Sequence, residues 1–272
     1  MASRHDYARQ ATVYDDTRSA SPSILAPLTA ALAPAPGPRL LDIGGGTGNY
    51  AAALRGHGHN PVVTDVSEAM LSRARAKRLP VVRGDACYLP FATASADAVM
   101  IVSVLHLVPD WTSALAEARR VLRPGGVLTL MVYAREHLPV HWVLSYFPCS
   151  LARVWPEHQP LSELCATLPG CEVIPFEFTD LADASLSALC RWPLLLLDPT
   201  YRARTSYFER LARDDPAELE SGLARLADDL KHGRRRPVPR PSASVGGIRP
   251  TPRPTISLDH PLVRGVASHG QE

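Results

Sequence analysis

Between Leu40 and Tyr50 an apolar run, Leu40-Leu41-Asp42-Ile43, contains an acid near its end and opens into Gly44-Gly45-Gly46-Thr47-Gly48 before Asn49-Tyr50. The run reads as a buried strand and the segment from Asn49 to Arg55 as the start of a helix. The glycines between them form a turn whose bare backbone lets a ligand approach closely. Two nucleotide-cofactor readings fit this turn. Gly46-x-Gly48-x-x-Ala51 satisfies the dinucleotide pattern, with Asp65 near the distance at which an acid grips a ribose hydroxyl. The alternative spacing, Asp42-x-Gly44-x-Gly46-x-Gly48, makes the acid part of the loop, where the ammonium group of a ligand can pair with it.

The chain beyond the loop favours the second spacing, the S-adenosylmethionine pattern. Pro61 to Asp65 is a short strand ending in an acid, and Ser67 can cap a helix running to about Arg75. Val81 to Ala86 is a third strand with an acid, Asp85, and Asp97 to Ser103 a fourth. A helix from Trp111 to Leu122 carries Trp111, Leu115, Ala118 and Leu122 on one face. It leads through Arg123-Pro124-Gly125-Gly126 into a fifth strand, Val127 to Tyr133. Strands alternating with helices predict a parallel, doubly wound α/β sheet.

With these four motifs in order, the segment from Tyr7 to Phe178 resembles the class I S-adenosylmethionine-dependent methyltransferases, in the small-molecule branch that includes the ubiquinone and menaquinone methyltransferases. The resemblance implies a Rossmann-like, mostly parallel sheet. It implies that Asp42, with Gly44, Gly45, Gly46 and Gly48, holds the methionine part of the cofactor. Asp65 would bond the ribose hydroxyls and Asp85 the adenine amino group, while the Ala86 backbone meets the ring and Val66 and Met70 pack its faces. Tyr14-Asp15-Asp16-Thr17-Arg18 resembles an N-terminal element that closes over the cofactor, which would set Tyr14 near the sulfonium. Arg120 to Gly126 is a scaffold signature without chemistry. Each acid also has an ordinary structural reading, since acids at strand ends often cap the next helix.

A chain of 272 residues with 46% hydrophobic content is long and apolar enough for one sizeable domain with extensions. Its net charge of +2 does not call for nucleic acid, and no apolar run reaches bilayer length. The N-terminal residues lack an export segment, so the cytoplasm is expected. Five cysteines, none in a C-x-x-C pair, read as reduced core thiols.

Substrate choice falls to the region after the fifth strand. Residues 135–160 form an insertion rich in aromatics (Trp142, Tyr146, Phe147, Trp155) that either caps an apolar acceptor or packs onto the sheet. A short helix at Leu161 to Leu168 and a sixth strand, Cys171 to Phe178, follow, with Pro175 implying an edge or bulge. Two more helices complete a cap over residues 182–232. The second is marked by Asp215 as cap, Pro216 in the first turn, Glu218 at capping-box spacing and a Leu219, Leu223, Leu226, Leu230 stripe. Residues 1–232 are thus expected to be the catalytic domain. Residues 233–272, rich in Arg and Pro, are expected to be a disordered basic tail, and Thr255 to Leu258 or Leu262 to Val266 are the segments available for a seventh strand.

The chemistry predicted is methyl transfer to a small-molecule acceptor, with oxygen favoured over nitrogen or carbon. His106, three residues beyond Ser103, stands where this fold places groups near the methyl. It is the candidate general base, with substrate-orienting and structural roles as alternatives. His137 and His141 are weaker candidates, and Ser103 is expected to contact the cofactor. No metal site is read, because no acid follows His137 in the pattern zinc requires. The fourth strand ends Ser103-Val104-Leu105-His106, without the Asn/Asp-Pro-Pro-aromatic turn of base-amine methyltransferases and without a nucleophilic cysteine. An RNA methyltransferase using the basic tail and a cofactor-binding protein without turnover are the competing functional readings.

Overall fold

The computed structural model describes residues 14–15, 18–138, 141–168, 170–183, 185–203, 205–234 and 260–266. The strands are β1 (Arg39–Ile43), β2 (Asn60–Asp65), β3 (Val81–Arg83), β4 (Ala96–Val102), β5 (Leu122–Met131), β6 (Glu172–Phe176) and β7 (His260–Val266). They form one sheet in the order β3-β2-β1-β4-β5-β7-β6. The first five pair in parallel, while β7 runs antiparallel to both β5 and β6. The doubly wound α/β expectation is met, and the strand order reverses between β1 and β4, where such sheets open a crevice at their carboxyl ends.

Helices lie at Asn49, Ser67 and Trp111 as the sequence reading has them, and a further one at Pro22–Leu32 was not read from sequence. Helix α1 (Pro22–Leu32), α2 (Asn49–Arg55) and α3 (Glu68–Ala76) pack one face of the sheet through Ile24, Leu28, Leu54, Leu71 and Ala74. On the other face α4 (Trp111–Val121) buries Leu115, Ala118 and Val121 with Leu164 of α6 (Leu161–Thr167). Between them α5 (Pro148–Val154) belongs to the insertion. The Arg123 turn is structural: its guanidinium pairs with the buried Asp97 carboxylate at 2.6 Å, and Asp97 also accepts the Arg39 backbone N–H.

Three expectations are corrected. Residues 260–266 are not part of an appendage: β7 fills the slot between β5 and β6, so the sheet does not end with the helices before Gly233. Pro175 does lie on an edge strand, because β6 is the last of the sheet. Cys165 and Cys171 are not free thiols but a disulfide joining α6 to the start of β6, with Cα atoms 5.3 Å apart, whereas Cys87, Cys149 and Cys190 are unbridged. The region after β6 holds more than two helices, α7 (Leu186–Cys190), α8 (Pro199–Arg202), α9 (Ser206–Asp214) and α10 (Pro216–Lys231).

The aromatic insertion folds onto these helices as a separate cluster. Phe147 is fully buried against Phe208 at 5.6 Å between ring centroids, and Trp142 donates its indole N–H to the Cys190 carbonyl. Asp215 caps α10 through the Glu218 N–H at 2.9 Å, as its sequence implies. The Glu218 carboxylate turns instead to α5, accepting from the Cys149 and Ser150 N–H groups and pairing with Arg153. Gly222 lets α10 press against this cluster, since a Cβ there would lie 2.3 Å from the Phe147 ring and 2.6 Å from the Tyr146 carbonyl. Gly222→Ala is therefore expected to lower stability by roughly 2 kcal/mol, about 4–8 °C in Tm, despite the better helix propensity of alanine. A thermal melt unchanged or raised by the substitution would show that the cap is loosely packed.

Candidate active site

Asp42 ends the inner part of β1 with its side chain 2% exposed and without a hydrogen bond or ion pair to its carboxylate among the described residues. It folds against the backbone of Gly45, where an added Cβ would come within 2.3 Å of its Oδ2. Burial, with the negative charge of Asp65 behind it, pushes the Asp42 pKa up to about 8. Burial without a partner favours the neutral, protonated form of this carboxyl. The loop beyond it is held by β2: the Gly44 and Gly45 N–H groups donate to the Thr64 carbonyl, and the Gly46 N–H donates to Asp65 Oδ2 at 3.0 Å. Gly46 has φ +56° with open space where a Cβ would be, and Gly48 has φ +75° with Leu79 only 2.4 Å from that point. The loop thus presents backbone outward at Gly46 and packs backbone inward at Gly48.

Asp65 is largely buried, which raises its pKa, while hydrogen bonds from the Ser67, Gly46 and Val66 N–H groups oppose the shift. These bonds fix the carboxylate at the rim of the crevice and leave acceptor capacity for hydroxyl groups. Val66 beside it is 54% exposed, a bare apolar surface at the rim, whereas Met70 is 2% exposed and packs inward on α3. Asp85 is exposed at the end of β3, where its Oδ1 accepts the Cys87 N–H at 2.9 Å, and Ala86 packs partly into the core. The Gly84 N–H donates to the Asp65 carbonyl and so ties this segment to the rim.

Ser103 follows β4 with φ +56°, a strained value for a side chain bearing a Cβ and a frequent mark of a functional turn. Val104 touches the glycine loop, since a Cβ on Gly44 would lie 2.8 Å from it. His106, in the 3-10 turn Leu105–Leu107, stacks on His158 with ring centroids 5.0 Å apart and planes 7° from parallel, and meets Tyr133 edge-on at 6.0 Å. Burial raises the Tyr133 pKa, and hydrogen bonds with Ser103 and Ser185 oppose the shift. His137 lies on the turn Arg135–His137, while His141 is buried beside Cys190 Sγ at 3.7 Å.

The N-terminal segment crosses the same crevice. The Arg18 guanidinium lies 5.7 Å from the Tyr14 ring centroid and pairs with Asp183 at 2.5 Å, whose other oxygen accepts from Tyr50 Oη. Asp15 accepts from Thr47 Oγ1 and Lys77 Nζ, and Lys77 also bonds the Thr47 carbonyl. Burial disfavours the Asp15 carboxylate, but the Lys77 and Thr47 hydrogen bonds outweigh it and hold its pKa below the usual range. Tyr14 and Asp15 are thereby fastened to the glycine loop on one side and to the cap on the other. Sequence reasoning did not find Tyr133, Lys77, Asp183 or His158; Tyr133, as the last residue of the fifth-strand reading, carried a positional signal, and the others carried none.

Among the described residues no cluster of three or more His, Cys, Asp or Glu side chains is arranged to hold a metal, and no helix is long and apolar enough to cross a membrane.

Residues 41–130 match the family model for the methyltransferase domain. The chain is 42% identical over 119 residues to the ubiquinone/menaquinone biosynthesis C-methyltransferase of Paracoccus denitrificans, covering 40% of this chain and 48% of that protein. It is 43% identical over 105 residues to a demethylmenaquinone methyltransferase of Mycobacterium sp. strain KMS, covering 39% and 46%. The chain therefore matches about half the length of these curated relatives. A crystal structure from Anabaena variabilis, described as a methyltransferase of an antibiotic biosynthesis pathway, superposes with TM-score 0.73 at 22% identity over 92% of this chain and 98% of that one, which establishes a common fold.

Proposed function

We propose that this chain, which carries a class I S-adenosylmethionine-dependent methyltransferase domain, methylates a small-molecule acceptor in the cytoplasm, with oxygen favoured over nitrogen or carbon as the atom modified. The observation that carries the reading is the unpaired, buried Asp42 carboxyl beneath a loop of open backbone, a group that an incoming ammonium could ionise and pair with. S-adenosylmethionine fits it: the methionine ammonium would pair with Asp42, the backbone of Gly44 to Gly48 would follow the methionine chain, and Asp65 would accept from the ribose hydroxyls. Val66 and Ala86 would line the adenine, Asp85 would accept from its amino group, and Tyr14 would face the sulfonium. Met70 would contribute through the core behind Val66. The cofactor supplies a methyl group already activated by the sulfonium, so the protein's part is to hold the acceptor in line and exclude water.

The site and the relatives together support a choice of acceptor class. One curated relative is named a ubiquinone/menaquinone biosynthesis C-methyltransferase and another a demethylmenaquinone methyltransferase, names that support a ring acceptor and, for the first, keep carbon as the competing atom; here His106 and Tyr133 meet edge-on after β4 and β5. We therefore favour a hydroxylated ring compound. His106 would stand at the reacting centre, with the hydrogen bond between Ser103 and Tyr133 helping to fix the turn that carries it. Incubation with methyl-labelled cofactor and a metabolite extract, followed by mass analysis, should show label in a small molecule. His106→Ala should lower that turnover by about 10²-fold while leaving S-adenosylhomocysteine affinity unchanged. Calorimetry showing tight NAD binding and no heat with S-adenosylhomocysteine would overturn the cofactor reading, and wild-type turnover in the His106 variant would remove that residue from the reacting centre.

A further inference from the structure

His158 lies in the insertion, far in sequence from every motif of the methyltransferase domain, yet its ring covers His106. The segment that holds it is tightly fixed. The Arg135 N–H donates to the Gln159 carbonyl at 3.0 Å and Arg135 Nε to the His158 carbonyl at 2.8 Å, while Arg210 grips neighbouring Glu157 through both carboxylate oxygens. The imidazole is 8% exposed, and its Nδ1 lies 3.0 Å from the Val154 carbonyl at the end of α5. A carbonyl oxygen only accepts, so Nδ1 must carry the proton, and a neutral ring then has its lone pair on Nε2. Nε2 has no hydrogen-bond partner among the described residues and is not sealed from solvent.

We propose that His158 Nε2 is the base that takes the proton from the acceptor, with His106 as the neighbouring ring that orients it. This rests on the methyltransferase reading above. In the step, the acceptor X–H bond breaks with its proton going to Nε2. The electron pair left on X forms the bond to the methyl carbon, and the sulfur keeps the pair of the carbon–sulfur bond that breaks. The imidazolium then returns its proton to solvent. The fixed Nδ1–H bond with Val154 serves this step, because it fixes the ring so that the in-plane lone pair of Nε2 stays available, and it stabilises the ring when it becomes charged.

The surroundings keep the ring neutral and ready. Burial lowers the His158 pKa; the Val154 bond and Glu157 act against that shift, and Arg135 and Arg210 reinforce it. His106 faces the ring from the turn after β4, and Tyr133 stands behind His106 at the end of β5. A base of lowered pKa is available across the neutral range without first losing a proton to water.

Two variants separate the roles of the stacked rings. His158→Asn retains an amide N–H that can reach the Val154 carbonyl but has no atom at Nε2, whereas His106→Phe keeps an aromatic ring in the stack and removes both nitrogens. His158→Asn is expected to lower kcat by about 10²-fold and to abolish the acidic limb of the kcat profile. His106→Phe should raise KM and keep that limb. The reverse pattern, or wild-type kcat in His158→Asn, overturns the proposal while leaving the methyltransferase reading intact. A readout independent of turnover is nitrogen NMR of the S-adenosylhomocysteine-bound protein labelled at histidine. One resonance set, absent from His158→Asn, should show a neutral Nδ1–H tautomer at pH 7. An Nε2–H tautomer or a ring charged at pH 7 overturns the proposal whether or not an acceptor has been found. If wild-type protein labels no acceptor yet the tautomer is as stated, the methyltransferase reading is what has failed.

Discussion

A chain ending at Gly233 is expected to aggregate on expression, while the full-length protein folds. β7 pairs with β5 from Val127↔Val266 to Met131↔Leu262 and with β6 from Glu172↔Arg264 to Phe176↔His260, so its loss leaves two unpaired edges facing each other across an empty slot. Val263 is fully buried between the layers, Gly265 packs against Leu168, and Arg264 pairs with Glu172. Removing a strand bonded on both sides strips hydrogen bonds and apolar burial together, against a total stability on the order of 5–15 kcal/mol for a domain. Exposed strand edges then template association between chains. Because a truncated chain can fail for other reasons, Val263→Asp in the full-length protein is the companion test. A charge at that buried position should cost roughly 4 kcal/mol or more, read as a large fall in Tm or in the urea midpoint. A soluble, monomeric chain ending at Gly233 that melts with the full-length protein would show that β7 contributes little to the sheet.

The same strand marks where the sequence stops being legible. β1 and β4 announce themselves as largely apolar runs because both are buried on both faces, and such strands need no alternation to be recognised. The reading of β4 from Asp97 and of β6 from Cys171 falls within a residue of the observed starts, Ala96 and Glu172. β7 has a weaker signature. Within His260–Val266 a proline, an arginine and a glycine interrupt the apolar residues, and the strand follows a long Arg/Pro-rich stretch. Its conformation comes from the slot it fills, which is a property of β5 and β6, so tertiary context overrides local preference.

The site divides in the same way. Asp42, Asp65, Asp85 and the glycines are legible because backbone geometry ties each to the carboxyl end of a strand, and neighbouring strands bring those ends together. His106, three residues past Ser103, was singled out by the same logic. His158 was not, since it comes against His106 through an insertion whose path is set by packing: the aromatics that suggested a substrate cap are largely spent on one another and on α10. The pair Arg18 and Asp183 joins residues far apart in the chain by contact alone, so no motif records it. The Glu218 signal shows the converse, a local pattern correctly seen and used for a different helix.

Asp42→Asn is expected to weaken S-adenosylhomocysteine binding by about 10²-fold or more at pH 8, because a bound ammonium would lose a buried counter-charge. The wild-type pH dependence should identify the cause. With a pKa of about 8 in the free protein against an ordinary value of 3.8, the Asp42 carboxyl keeps its proton at neutral pH. Pairing with an ammonium requires the carboxylate, so ligand binding must expel that proton below pH 8. Affinity should therefore rise by up to about tenfold per pH unit on approach to pH 8 and level off above it. The sign for stability is opposite. Between the ordinary pKa and the raised one, the unfolded chain has already released a proton that the folded chain retains. The ligand-free protein thus loses stability as pH rises through that window, at up to about 1.36 kcal/mol per unit. Bound ligand should flatten this loss, since it lowers the pKa of the group responsible. Calorimetric titration in buffers of different ionisation enthalpy reads the expelled proton directly: about one per ligand near pH 7 in the wild-type protein and none from this group in Asp42→Asn. Equal proton release in both proteins, or equal affinity at pH 8, would show that the ammonium is held elsewhere and that Asp42 is a structural acid.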